Sequence, residues 1–211
     1  MKDQAELIYI YDALCGWCYG FSPVMQQLQD RYASDIKFSV LSGGMILGDR
    51  VGPIGEVAPY IKTAYREVEQ RTGVVFGQAF LEVLDEGSQV FSSRLPGIAM
   101  TAFRIHNRDR TLDFAHHLQW GIYHEGLDLN KPENYRPLLK AFPSVDEAQF
   151  MSQLTDELYW RKTQEEFGMV QQFGVRGFPT LLAYDGEKTY RLTSGYRPYG
   201  DVAGLVEQVF G

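Results

Sequence analysis

The β-strand signals of this chain are confined to its two ends. Residues Leu7-Ile8-Tyr9-Ile10-Tyr11 form an apolar run with no polar face, the pattern of a strand covered by helices on both sides. A helical pattern follows, with Phe21, Val24, Met25, Leu28 and Tyr32 at steps of three, four and seven. Asp35 to Leu41 reads as a second strand and ends in Ser42-Gly43-Gly44. That unit of about 36 residues is long enough for a right-handed parallel crossover. Over roughly the next 110 residues β signals nearly vanish. Gly73 to Phe76 is ambiguous there. Helical patterns run from Pro59 to about Arg71, through Ile98, Ala102 and Ile105, and through Ala115, Leu118 and Ile122. Others run from about Pro132 to Ala141 and from about Glu147 to Gln172. The turn-rich Gly174-Val175-Arg176-Gly177-Phe178-Pro179 then leads into a strand at Thr180 to Tyr184. Asp185-Gly186-Glu187-Lys188 reads as a hairpin turn, and Thr189 to Thr193 as the return strand. A closing helix puts Val202, Leu205, Val206, Val209 and Phe210 on one stripe. Each β-bearing end is too small to be stable alone. The pattern predicts an α/β protein in which 1–50 and 174–211 complete one sheet, with a helical block, 51–173, inserted between them.

The only two cysteines in 211 residues lie where the first strand hands over to its helix, in Cys15-Gly16-Trp17-Cys18. Cysteines at i and i+3 of a first helical turn share a face and fall within disulfide reach. A thiol at a helix N-terminus meets unpaired N–H groups and the positive end of the macrodipole, which favours the thiolate. Cys-x-x-Cys beside a βαβ pattern reads as a thioredoxin-like redox motif. So short a loop would stabilise the fold little as a structural disulfide. Two thiolates also supply only half of a tetrahedral zinc shell, and no histidine is near in sequence. Cys15, the first of the pair and the nearer to the helix end, is the expected attacking thiolate, with Cys18 one turn deeper.

Other groups constrain less. Asp12 either caps the helix or a preceding turn, or, if buried by the sulfur, opposes thiolate formation; the sequence leaves both open. Trp17, between the cysteines, is expected to line a substrate surface, and Phe21 the core; Tyr19 fits either. Asp113, His117 and His124 fall on one helix face, where a solvated or interhelical role is favoured over a metal site. Gly43, Gly44 and Gly48 match no dinucleotide or phosphate-binding pattern and read as a strand-exit turn. The net charge of −7 and pI near 5.1 imply no nucleic-acid surface. No apolar run reaches 18 residues, so no membrane-spanning helix is expected. Met1-Lys2-Asp3-Gln4-Ala5-Glu6 does not read as a signal-peptide start, which makes a cytoplasmic location the expectation.

The segment Asp12-Ala13-Leu14-Cys15-Gly16-Trp17-Cys18-Tyr19-Gly20, the exit Ser42-Gly43-Gly44-Met45 and the loop Gly174 to Thr180 together resemble the DsbA family of thiol–disulfide oxidoreductases. The likeness is to its cytoplasmic bacterial, FrnE-like branch and covers the whole chain. It implies a thioredoxin fold (βαβ…ββα) with a large helical insertion, and protein-disulfide oxidoreductase or isomerase activity. It makes Cys15 the nucleophile and Cys18 the resolving cysteine. Pro179 takes the place of a cis-proline facing the disulfide, and Phe178 with Trp17 borders the substrate. The implied substrates are thiols or disulfides of proteins or of glutathione, the latter as reductant or co-substrate. No metal, bound cofactor, nucleic acid or membrane partner is implied. The intervening pair departs from the family: Gly-Trp stands where FrnE-like proteins usually have Pro-Trp and the periplasmic oxidant has Pro-His. The histidine's contribution to thiolate stability is therefore missing. Kappa-class glutathione transferases and hydroxychromene-carboxylate isomerases look similar in layout and give the alternative, a glutathione-dependent transferase or isomerase. They carry serine in place of Cys15 and lack the second cysteine, so the intact pair favours exchange chemistry.

Overall fold

Why the first strand has no polar face is clear from its two sides. β1 (Glu6–Tyr11) pairs in parallel with β2 (Lys37–Ser42) on one edge and antiparallel with β5 (Thr180–Tyr184) on the other. Leu7, Tyr9 and Tyr11 pack into the main core with Phe21, Met25 and Leu28 of helix α1 (Gly16–Tyr32). On the opposite face Ile10 meets Leu182 of β5 and Val170 of helix α8 (Glu157–Gln172). β6 (Thr189–Ser194) pairs antiparallel with β5 and completes a four-stranded sheet of order β2-β1-β5-β6. Helix α9 (Tyr199–Phe210) closes the chain through buried Val202, Ala203 and Val206. This is a computed structural model describing residues 5–211. The reading of Met1 to Gln4 as no signal peptide lies outside the described residues.

Between β2 and β5 lie helices α2 (Ala58–Thr72), α3 (Gln78–Glu86), α4 (Arg94–His106), α5 (Thr111–Tyr123), α6 (Tyr135–Leu139) and α7 (Glu147–Gln153), followed by α8. None of the helices among the described residues is long and apolar enough to cross a membrane.

The structure corrects the sequence reading in three places. The single segment expected from Glu147 to Gln172 is two helices. The chain breaks at Leu154 to Asp156, where Leu154 is buried and the Asp156 carboxylate caps α8 by accepting from Leu158 N at 2.8 Å. Helix α3 stands where no helix is expected, although its signal exists: Phe80 and Leu84, four apart, are both buried, and Gly87 ends it at φ +75°. Finally, β3 (Gly52–Pro53) pairs antiparallel with β4 (Val90–Phe91), adding β structure inside the helical block. Two-residue strands are too short to show alternation. The ambiguous stretch Gly73 to Phe76 is irregular, and Phe76 is buried.

β2 is an edge strand, and its outer groups are covered at the end nearest the cysteines. Arg104 of α4 donates to Val40 O at 2.7 Å, while Ser42 N donates to the Glu166 carboxylate at 2.6 Å. Arg104 and Glu166 also form an ion pair. Two helices thus satisfy an edge that would otherwise be open to pairing with another strand.

Candidate active site

The end of β1 and the first turn of α1 are one short connection, and it sets the sulfur geometry. Cys15 is itself the helix cap, at φ −95° and ψ 108°. Its sulfur accepts from Cys18 N at 3.3 Å, doing what a Ser or Asp oxygen does at other helix starts. Cys15 N donates to Asp12 O at 3.1 Å, and Tyr9 Oη donates to Cys18 O at 3.2 Å. Both cysteines are free thiols. Cys15 keeps 6 % of its surface exposed and Cys18 none. Burial pushes the Cys18 thiol well above its ordinary value, and its hydrogen bond with Cys15 adds to this.

The second wall comes from the far end of the sequence. The Phe178–Pro179 peptide bond is cis. The Cys15 thiol donates to Phe178 O at 3.5 Å, across 163 residues of sequence. Pro179 O accepts from Gly195 N at 2.7 Å, which ties the loop to the end of β6. The Phe178 ring occupies the space above Gly43. A Cβ there would lie 2.0 Å from Phe178 Cε1 and 2.1 Å from Cζ. Gly43 in the β2 exit is therefore the partner that lets the 174–180 loop reach the thiol. Gly43→Ala is expected to destabilise the fold by about 1–3 kcal/mol and to change the rate at which a small alkylating reagent modifies Cys15. Urea denaturation and timed alkylation check this; values equal to the parent in both would refute the packing.

Asp12 resolves the alternatives that the sequence left open. Its Oδ1 accepts from Leu14 N at 3.0 Å, so the carboxylate caps the turn ahead of the helix rather than the helix itself. Oδ1 also accepts from Ser93 Oγ at 2.9 Å, and Oδ2 from Met45 N at 2.7 Å. One buried carboxylate therefore joins β1, the β2 exit and the start of α4. Burial pushes it up from the ordinary value of 3.8, against the pull of those three donors. Its charge also works against ionisation of Cys18. An acid with a raised folded pKa holds its proton more tightly in the folded state than in the unfolded one. Stability then falls as pH rises from the unfolded value through the folded one. Asp12→Asn removes this titration. The stability of the parent relative to Asp12→Asn is expected to shrink as pH rises from about 4 toward neutrality, read from urea midpoints. A constant or growing difference would contradict a raised carboxyl.

Trp17 is half-buried. It meets the Tyr196 ring at 6.1 Å, and the Arg71 guanidinium lies 5.0 Å over its face. Phe21 is fully buried in the core. Tyr19 is core as well: it is 2 % exposed, stacks on Tyr123 and donates to Val75 O. Among the described residues Asp113, His117 and His124 do not converge on a metal-sized point. His117 Nδ1 lies 2.8 Å from Asp113 O, and His124 stacks on Trp120.

Beside Cys15 opens a cavity of about 340 Å³. Trp17 and Phe178 line it, as do Met45, Ile61, Phe76 and Tyr123, none of which the sequence marks as a site residue. Ile61 and its neighbours in α2 did show helical periodicity, but periodicity does not say which element a face will meet.

No known family profile matches the sequence, and no curated protein matches it. Solved structures do. A Nitrosomonas europaea protein, provisionally assigned as a protein disulfide isomerase, aligns over 98% of this chain and 97% of its own, with 21% identity and a TM-score of 0.82. The cytosolic disulfide reductase DsbM from Pseudomonas aeruginosa, solved with GSH, aligns over 96% and 98%, with 23% identity and a TM-score of 0.78. A second DsbM structure gives 26% identity and a TM-score of 0.76 over the same shares. The oxidoreductase DsbA from Xylella fastidiosa aligns over 97% and 83%, with 14% identity and a TM-score of 0.58. The shared fold is the thioredoxin fold with a helical insertion.

Proposed function

From the premise that this chain has the fold of the DsbA-like oxidoreductases, we propose that it is a thiol–disulfide oxidoreductase working through Cys15 and Cys18. One observation carries the reading: the Cys15 sulfur caps helix α1 and at the same time faces the Phe178 carbonyl ahead of Pro179. A nucleophile is placed there at the positive end of a 17-residue helix, beside a backbone group able to pair with a bound substrate.

The Cys15 thiolate attacks a substrate disulfide. One S–S bond breaks, the first substrate thiolate leaves, and a mixed disulfide with Cys15 remains. Cys18, whose burial keeps it protonated until then, loses its proton and attacks the Cys15 sulfur. The second substrate thiolate leaves, and the protein holds the two-electron-oxidised Cys15–Cys18 disulfide. Phe178 and Trp17 border the bound segment, and Pro179 holds the loop. In this reading 1–50 carries the thiols and 174–211 brings the Phe178 loop to them, while 51–173 builds the opposite wall of the cavity.

The direction we favour is reduction in a cytoplasmic, thiol-rich compartment, with glutathione returning the protein to its dithiol form. The support is the cytosolic reductase solved with GSH among the similar structures. The test is insulin reduction by dithiothreitol, beside glutathione conjugation to a chlorodinitrobenzene. Faster precipitation of insulin chains with catalytic amounts of protein supports exchange. Conjugation without insulin reduction would overturn it in favour of a transferase.

A further inference from the structure

The cavity beside Cys15 is lined mainly by apolar groups, and this bears on what the thiol reacts with. Leu14, Met45, Ile46, Ile61 and Ala64 line it together with aromatic rings, and among the described residues no charged side chain does. Of the lining residues Phe76, Phe91 and Tyr123 are buried, while Val57 and Tyr60 are 49% and 69% exposed, so the space is reached from solvent and Cys15 is among the residues that line it. A charged group drawn into it would lose hydration and find no ionic partner. An apolar group would bury its surface against rings and aliphatic chains. The volume of about 340 Å³ suits one ring with a short linker.

We propose that this cavity takes the apolar half of an unsymmetrical, low-molecular-weight disulfide and delivers that half's sulfur to Cys15. The inference rests on the exchange reading above and names its substrate class. The Cys15 thiolate attacks the sulfur that carries the apolar group. The S–S bond breaks, and the polar half leaves as its thiolate and takes a proton from solvent. The apolar half stays on Cys15 as a mixed disulfide inside the cavity. Cys18 then gives up its proton, attacks the Cys15 sulfur and releases the apolar thiolate, which takes up a proton. The substrate gains two electrons and the protein loses two.

The test uses the full chain as Cys18→Ala, so that the first adduct persists. The reduced protein is mixed with the disulfide formed between phenylethanethiol and mercaptoethanol. Both are alkyl thiols of similar acidity, so leaving-group strength does not choose the sulfur attacked. Intact mass after acid quenching reads which half remains on Cys15. The phenylethyl adduct is expected to exceed the hydroxyethyl adduct by about tenfold or more. Adding Ala64→Phe, which puts a ring into the cavity from α2, is expected to bring the ratio toward one. Ala64→Leu serves the same end if the larger residue prevents folding. An even partition in Cys18→Ala, or the same preference after the cavity is filled, would overturn the assignment while leaving exchange chemistry standing. Formation of neither adduct would overturn the exchange reading as well.

Discussion

Cys18→Ser is expected to accumulate covalent adducts with disulfide-bearing substrates, whereas Cys15→Ser traps almost none and loses exchange activity by about three orders of magnitude or more. The asymmetry follows from position. Both residues are cysteines within one helical turn, but only Cys15 caps the helix and retains exposed surface. Cys18 is fully buried, and burial holds its thiol protonated. With Cys18 removed, the first attack proceeds and the intramolecular step that clears the mixed disulfide is gone. With Cys15 removed, the remaining thiol meets no substrate. The measurement is thiol-quenched lysate from cells making each variant, run on non-reducing gels, with adducts identified after reduction. Equal trapping by both variants would reverse or dissolve the assigned roles.

The second large effect is on the fold itself. Glu166→Ala is expected to destabilise the protein by about 3–5 kcal/mol. The Glu166 side chain is 3% exposed and that of Arg104 21%. Removing the carboxylate leaves a largely buried guanidinium without its anion and Ser42 N without its acceptor. Replacing both charges with apolar residues of similar volume, as in Glu166→Leu with Arg104→Met, is expected to cost less than the single change. Urea denaturation of the two variants decides. A single variant as stable as the parent would mean that the ion pair contributes nothing to holding α4 and α8 on the edge of β2. Ser42 leads into Gly43, so loosening this edge is also expected to loosen the seat of Phe178.

Much of the α/β layout was legible because it is written in local patterns. The unbroken apolar run Leu7 to Tyr11 requires cover on both faces, and α1 and α8 supply it. The Gly-rich exit after Ser42 and the turn at Asp185 to Lys188 mark strand ends through residues with special backbone or side-chain bonding. Asp185, for example, accepts from both Glu187 N and Lys188 N at 2.8 Å. Where local signals compete or are too brief, the pattern does not mark the element. The break at Asp156 was hidden inside a helical pattern on both sides, and β3 and β4 are two residues each.

The candidate site divides the same way. The sequence by itself placed two cysteines one helical turn apart at a strand-to-helix junction, because spacing and periodicity are properties of neighbours along the chain. Only the tertiary structure decided what those thiols face. Phe178 O lies 163 residues from Cys15, Glu166 lies 124 from Ser42, and Ser93 lies 81 from Asp12. Asp12 shows the limit most directly: its sequence position allowed a cap or a buried charge, and packing made it both. Burial, and with it the upward push on the proton affinity of Asp12 and Cys18, depends on which distant elements close over a group. The apolar cavity is likewise a surface shared by α1, the β2 exit, α2 and the Phe178 loop. No stretch of sequence holds that surface until the helical insertion folds back across the thiols.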